Sequence, residues 1–190
     1  TVTFAAPAAP AKPAEVPAAA EKAPRLRIGV HGSYFLMLDS NFKETYGGLM
    51  GFGGELSYRF AQKMDFWVSG GMAGKKATPE WSSDEMKFSL IPLAAAVRYY
   101  LGGKGKLSPY AGAGVNVFLV EDQNPIVDIK ETLIGFHALG GFYYGLSSKL
   151  SAQFTAKFNI ASKDVVPESD LDDPLSLMGL ELRLGVSYAF

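Results

Sequence analysis

The sequence predicts an all-β protein: an eight-stranded antiparallel up-and-down transmembrane β-barrel. Three observations carry that expectation. The stretch Leu177–Phe190 (LMGLELRLGVSYAF) puts Met178, Leu180, Leu182, Leu184, Val186, Tyr188 and Phe190 on one face, and Gly179, Glu181, Arg183, Gly185, Ser187 and Ala189 on the other. Period two marks a strand with one apolar face. Seven more stretches alternate in this way, and no candidate helix stands ready to cover their apolar sides. Lipid outside and a closed lumen inside satisfy both faces and every backbone group. Finally, the connections are longer after strands one, three, five and seven and mostly short after two, four and six. That is the asymmetry of an up-and-down barrel whose even strand count leaves both termini on one side.

Composition narrows the function classes. A formal net charge of -1 over 190 residues gives no electrostatic case for a nucleic-acid partner. No run of eighteen apolar residues exists, so no helix is expected to span a bilayer. The opening residues lack a signal-peptide pattern, and the chain is expected to be a processed one. Thr1–Pro24 forms a separate region with ten Ala and five Pro. Its prolines interrupt any long helix and it has too few bulky side chains for a core. It is expected to be an extended, semi-rigid leader with a reach of roughly 60–70 Å.

The barrel region is residues 25–190. The first strand, Arg25 to Leu38, places Leu26, Ile28, Val30, Tyr34, Leu36 and Leu38 on one face and Arg27, Gly29, His31 and Ser33 on the other; a loop, Asp39–Thr45, follows. In the second, Gly47 to Phe60, Met50, Phe52, Leu56, Tyr58 and Phe60 oppose Gly51, Gly53, Glu55, Ser57 and Arg59. After a tight turn at Ala61–Met64, a weaker third strand, Asp65–Gly74, sets Phe66, Val68 and Met72 against Trp67, Ser69 and Gly71; Lys75–Asp84 reads as a loop.

The fourth strand, Glu85 to Tyr100, slips in phase. Met86, Phe88 and Leu90 keep one parity, Leu93, Ala95, Val97 and Tyr99 the other, and Pro92 sits at the change. A β-bulge at Ile91–Pro92 is expected to explain both the slip and the proline. Past the Gly-rich turn Leu101–Leu107, the fifth strand (Ser108–Glu121) turns Tyr110, Gly112, Gly114, Asn116 and Phe118 inward. After the loop Asp122–Ile129, the sixth strand (Lys130–Leu146) turns Gly135, His137, Leu139, Gly141 and Tyr143 inward. The seventh (Leu150–Ile160) opposes Leu150, Ala152, Phe154, Ala156, Phe158 and Ile160 to Ser151, Gln153, Thr155, Lys157 and Asn159. A loop, Ala161–Ser176, precedes the last strand, Leu177–Phe190.

Two consequences follow from the alternation. Tyr58, Phe60, Phe66, Tyr99, Tyr144, Tyr188 and Phe190 fall outward at the turn-side strand ends, where they form an aromatic girdle. The inward set carries a polar network: Arg27, His31, Glu55, Arg59, Arg98, Asn116, His137, Lys157, Glu181 and Arg183. Charges of both signs in so narrow a lumen must pair, because an unpaired one is expensive, and at eight strands the interior is only wide enough for side chains. If the first loop centres near Phe42–Lys43, His31 and Glu55 face each other and are candidates for a charge-assisted hydrogen bond. Phe35, Met37, Trp67, Phe118 and Leu139 also point inward, where they line an apolar pocket near the outer mouth or serve as ordinary packing. A soluble barrel that turns its apolar face inward onto a ligand is the rival; the strand lengths and the outward aromatics speak against it.

The stretches SPYAGAGVNVF (Ser108–Phe118) and LELRLGVSYAF (Leu180–Phe190) resemble the small outer-membrane β-barrels of Gram-negative bacteria, the superfamily of the OmpA transmembrane domain and the opacity-type surface antigens, across residues 25 to 190. The resemblance implies the cell outer membrane, both termini periplasmic with short periplasmic turns, and contact with outer-membrane lipid and lipopolysaccharide. It also implies that Leu184, Val186, Tyr188 and Phe190 are an assembly signal for the barrel-assembly machinery.

The family's roles vary, and the residues support no enzyme, cofactor or metal site. His31 and Ser33 are close in sequence but share the inward face with Arg27, on the wrong side for a lipid A hydrolase, and His137 also points in. The acids Asp164, Glu168, Asp170, Asp172 and Asp173 in the last loop read as a solvated loop, with a divalent cation or a protein contact as alternatives. The expectation is a non-enzymatic anchor or scaffold that holds an envelope protein through residues 1–24. The alternatives are a small porin for small or hydrophobic solutes and, least supported by the residues, a lipid A-modifying barrel.

Overall fold

The computed structural model describes residues 25–38, 47–77, 86–102, 105–123, 128–163 and 175–190. The leader Thr1–Pro24, the first loop and the acidic cluster of the last loop lie outside the described residues. Eight long strands make the fold: β1 (Leu26–Met37), β2 (Gly48–Ala61), β3 (Met64–Ala77), β4 (Met86–Tyr100), β5 (Leu107–Gln123), β6 (Asp128–Gly145), β7 (Leu150–Lys163) and β8 (Gly179–Ala189). A two-residue piece, Leu175–Ser176, also pairs with the end of β7. Each strand is antiparallel to its sequence neighbour, and β8 pairs with both β7 and β1, which closes the sheet. The chain is a closed eight-stranded antiparallel barrel, and no described residue is helical. Closure leaves no unpaired edge, which a lipid-exposed sheet cannot tolerate.

Alternation sets the two faces. Along β1 every second residue from Gly29 to Met37 is buried, while Ile28, Val30, Tyr34 and Leu36 are exposed. The outward wall is apolar: Met50, Phe52, Ile134, Phe136 and Leu184 are all more than half exposed, a surface that lipid covers and water would not. All seven girdle aromatics are exposed at the strand ends nearest the termini, and Tyr188 and Phe190 meet edge to face at 4.9 Å.

The expected bulge in β4 does not exist. Leu90, Leu93 and the residues between keep one register with β5, from Lys87↔Gln123 to Tyr100↔Tyr110. Phe88, Leu90 and Pro92 therefore lie inside, in phase with Arg98. The apparent slip arises because the lumen itself is apolar at that end, so hydrophobicity there does not mark the outward face. Pro92 is accommodated without a shift: the β3–β4 ladder skips the pairs opposite Ile91 and Pro92 and resumes in the same register at Ala73↔Leu90. That gap is where a residue without an N–H belongs. The described ladder shifts instead at the tight β2–β3 turn, between Arg59 and Ala61.

The strands also run past several predicted ends. β3 continues through Lys75 to Ala77, β5 to Gln123, and β6 begins at Asp128. These extensions carry charge yet stay paired, as at Lys76↔Lys87 and Gln123↔Asp128, and the outward Lys130–Glu121 ion pair at 2.9 Å lies just below the second of them. Polar composition therefore marked the rim of the sheet rather than its end.

The inward glycines make room for the large polar side chains. Across the ladders Arg98 faces Gly112, Tyr110 faces Gly141, His137 faces Gly114, Asn116 faces Gly135, and His31 faces both Gly53 and Gly185. A Cβ on Gly112 would sit 2.9 Å from Arg98 Cγ, and one on Gly141 would sit 2.7 Å from the Tyr110 hydroxyl, both closer than packed carbons allow.

Candidate functional site

The lumen is filled in three layers. At the end carrying the termini, Arg98 on β4 and its cross-strand neighbour Asp65 on β3 form a two-pronged ion pair, Nε to Oδ1 at 2.9 Å and Nη2 to Oδ2 at 2.7 Å. The Tyr100 hydroxyl donates to the same carboxylate at 2.7 Å. The third donor of Arg98, Nη1, reaches across to the Tyr143 hydroxyl at 3.0 Å, which in turn donates to Glu55 at 3.2 Å. The network thus bridges β2, β3, β4 and β6, and the fork of a guanidinium is the group that can do this. Tyr110 packs against Tyr143 at 5.2 Å and shares a 2.6 Å hydrogen bond with Thr155. Arg27 and Arg59 lie at the mouth, stacked over the rings of Tyr143 and Tyr100 at 3.9 and 4.3 Å.

In the middle layer Glu181 is held between two cations. Arg183, two residues on and on the same face, donates from Nε. Lys157, directly across on β7, makes a 2.7 Å ion contact. Arg183 Nη1 also crosses the lumen to Ser69 at 2.9 Å, with its guanidinium over Trp67 at 5.3 Å. Asn116 donates to Asn159 at 2.8 Å, and His137 meets Trp67 edge to face at 6.1 Å.

The third layer, at the loop end, is apolar. Phe35, Met37, Leu49, Phe88, Leu90, Phe118, Leu133 and Leu177 form one buried cluster.

The buried charges balance: among the described residues the buried cations are Arg98, Lys157 and Arg183, and the buried anions Glu55, Asp65 and Glu181. A neutral interior is what so enclosed a space demands. Of the residues singled out by sequence, Arg98 and Glu55 share the terminal-end network, and Lys157, Glu181 and Arg183 share the central one. Asn116, His31 and His137 are buried in the lumen as well, while Arg27 and Arg59 sit nearer the mouth. Leu184, Val186, Tyr188 and Phe190 line the outward face of β8.

One expectation needs correction. His31 is not opposite Glu55. The β1–β2 register pairs His31 with Gly53 and Glu55 with Gly29, a slip of two that preserves the face and changes the neighbour. Glu55 instead accepts from Tyr143, and His31 Nδ1 has no hydrogen-bond partner. The five inward apolar residues are ordinary lumen packing, as the second of the two readings had it, and line no single pocket. Phe35, Met37 and Phe118 join the loop-end cluster, while Trp67 and Leu139 pack with Tyr100, Tyr110 and Tyr143 nearer the termini.

The sequence reading missed Asp65, the acid that Arg98 requires. It stood at an expected strand start beside a tight turn, where a carboxylate looks solvated. The available signal was parity, since Asp65 shares the face of Trp67 and Ser69.

Comparison with known proteins agrees with this geometry. The family described as "Outer membrane protein beta-barrel domain" matches residues 1–190. No curated protein sequence matches the chain. Among solved structures the chain is similar to Neisserial surface protein A (NspA), at 18% identity and a TM-score of 0.65, with 87% of this chain and 97% of that one covered. It is also similar to the N-terminal β-barrel domain of Pseudomonas aeruginosa OprF, at 15% identity and a TM-score of 0.56, covering 88% and 98%. The attachment invasion locus protein Ail of Yersinia pestis aligns at 14% identity and a TM-score of 0.54, covering 87% and 97%. At these identities the solved structures establish the fold. With the family match over its whole length, the chain belongs to the outer membrane protein beta-barrel domain family, and its location is the outer membrane.

Proposed function

We propose that this barrel works by position: it is a non-enzymatic anchor or scaffold in the outer membrane that organises another envelope component. The observation that carries the reading is the filled lumen. Leu49, Leu90, Leu133, Phe35 and Phe118 are each no more than 2% exposed at the loop end. The Arg183–Ser69 and Arg98–Tyr143–Glu55 bonds cross the interior below them. A packed interior leaves no continuous polar path for a solute. Both histidines are buried in it, away from the lipid face where a lipid substrate would be reached.

In this reading the termini face the periplasm. The Pro/Ala leader of residues 1–24, whose composition suits a semi-rigid spacer, joins β1 on that side and is the segment that holds an envelope protein. Lipid and lipopolysaccharide surround the apolar wall. The barrel-assembly machinery reads Leu184, Val186, Tyr188 and Phe190. The test is a pull-down from detergent-solubilised membranes with the full chain and with a chain lacking Thr1–Pro24. The full chain is expected to recover a stable partner and the shortened one to lose it while still folding. Recovery of the barrel alone at every detergent strength contradicts the scaffold.

A further inference from the structure

The mouth at the terminal end is open and basic, and nothing in the anchoring role uses it. Two cavities lie there and share Ser108. One, of about 490 Å³, is lined by Arg27 and Lys106 with Tyr143, Ser147, Ser148 and Ser151. The other, of about 190 Å³, is lined by Arg59 and Lys63 with Tyr100. Arg25 and Lys149 add two more exposed cations at this end. No acid lines either cavity among the described residues.

The described acids of this end are buried in the lumen. Asp65 accepts from Arg98 and Tyr100, and Glu55 accepts from Tyr143 through Oε1 while its Oε2 has no hydrogen-bond partner. The two mouth arginines are also preset. Each lays its flat face on a tyrosine ring, which leaves the guanidinium edge for an incoming anion, although Arg27 Nη1 itself is buried. A guanidinium edge backed by an ammonium and several hydroxyls is carboxylate-binding chemistry.

We propose that this mouth is a docking site for an acidic peptide segment of a periplasmic protein, with carboxylates seated beside Arg27 and Lys106 in one cavity and Arg59 and Lys63 in the other. Two adjoining basic cavities favour a chain of carboxylates over a single anion. The strand residues lining them, Arg27, Arg59, Tyr100, Tyr143 and Ser151, point to the lumen axis. A headgroup in the surrounding leaflet would have to climb over the rim to reach them, so the geometry favours a peptide over a lipid. The site belongs to the barrel itself, so its test is separate from deletion of the leader.

The experiment uses the full chain in phosphatidylcholine nanodiscs and a fluorescein-labelled hexaglutamate peptide, followed by anisotropy. Saturable binding is expected, weakening from ~20 mM to ~150 mM salt as exposed charges are screened. Lys106→Gln, on an exposed turn where folding is not at stake, should weaken it severalfold. Adding Arg27→Gln should bring the loss to about tenfold or more. Lys76→Gln with Lys87→Gln, at the opposite end, should leave it within about twofold. The inference is overturned if hexaglutamine binds equally well or if the mouth variants bind like the parent. It is also overturned if binding appears only after removal of Thr1–Pro24, which would make the leader the occupant. Abolition by phosphatidylglycerol in the disc would make a lipid headgroup the occupant and equally refute the peptide.

Discussion

Replacing Glu181 by Gln is expected to destabilise the barrel by about 3–5 kcal/mol, the usual cost of stranding a buried charge. Glu181 is fully buried between Lys157 and Arg183, themselves no more than 1% exposed. The substitution barely changes shape, so the loss isolates electrostatics from packing. It leaves the interior with one cation too many and no solvent to screen it. Adding Lys157→Met restores neutrality by removing the ammonium that sits 2.7 Å from the Glu181 carboxylate. The double variant should therefore be more stable than the single one, a coupling opposite to that of two independent losses. Urea titration in lipid vesicles, followed by the fluorescence of Trp67 beside Arg183, reads both. A single variant within about 0.5 kcal/mol of the parent, or a double variant that is worse, contradicts the neutral-interior account.

Phe118→Ala should cost a comparable amount, about 3–5 kcal/mol, for a different reason. Phe118 is 2% exposed, between its cross-strand neighbours Pro92 and Leu133, in the apolar layer at the loop end. Its removal leaves a cavity that a closed barrel cannot collapse, because the ladders on both sides fix the wall. Phe136, on β6 and 71% exposed to lipid, provides the comparison. Phe136→Ala loses contact with lipid chains but opens no cavity, since lipid fills the space. Equal losses at the two sites in the same urea titration would mean that the loop-end layer is not a packed plug.

Most of the architecture was legible because a membrane barrel obeys one simple rule at every residue. The outward set is apolar, so parity in β1, β2, β5, β7, β8 and the Leu93–Tyr99 half of β4 could be read directly, and with it the inward position of Arg98, Lys157, Glu181 and Arg183. The rule fails where the lumen is also apolar. Phe88 and Leu90 carry no mark of which side they face, and their parity was misread as a bulge. Register is a second limit. A shift of two residues keeps every side chain on its face, so nothing in the sequence distinguished Glu55 from Gly53 as the neighbour of His31. The third is the strand edge. Asp65 stood at the expected strand start, and only the β3–β4 ladder placed it opposite Arg98. Composition shows which residues share the lumen; the ladders decide which of them meet.

The central claim is that the lumen is closed by its own side chains, and conductance tests it most directly. The purified full chain, reconstituted into planar bilayers, is expected to insert without steady unitary currents. The Arg183–Ser69 bond, the Arg98–Tyr143–Glu55 bridge and the Phe35–Leu90–Phe118 layer should block the path in series. Steady, reproducible conductance steps through the isolated barrel would contradict the account and identify the protein as a small channel.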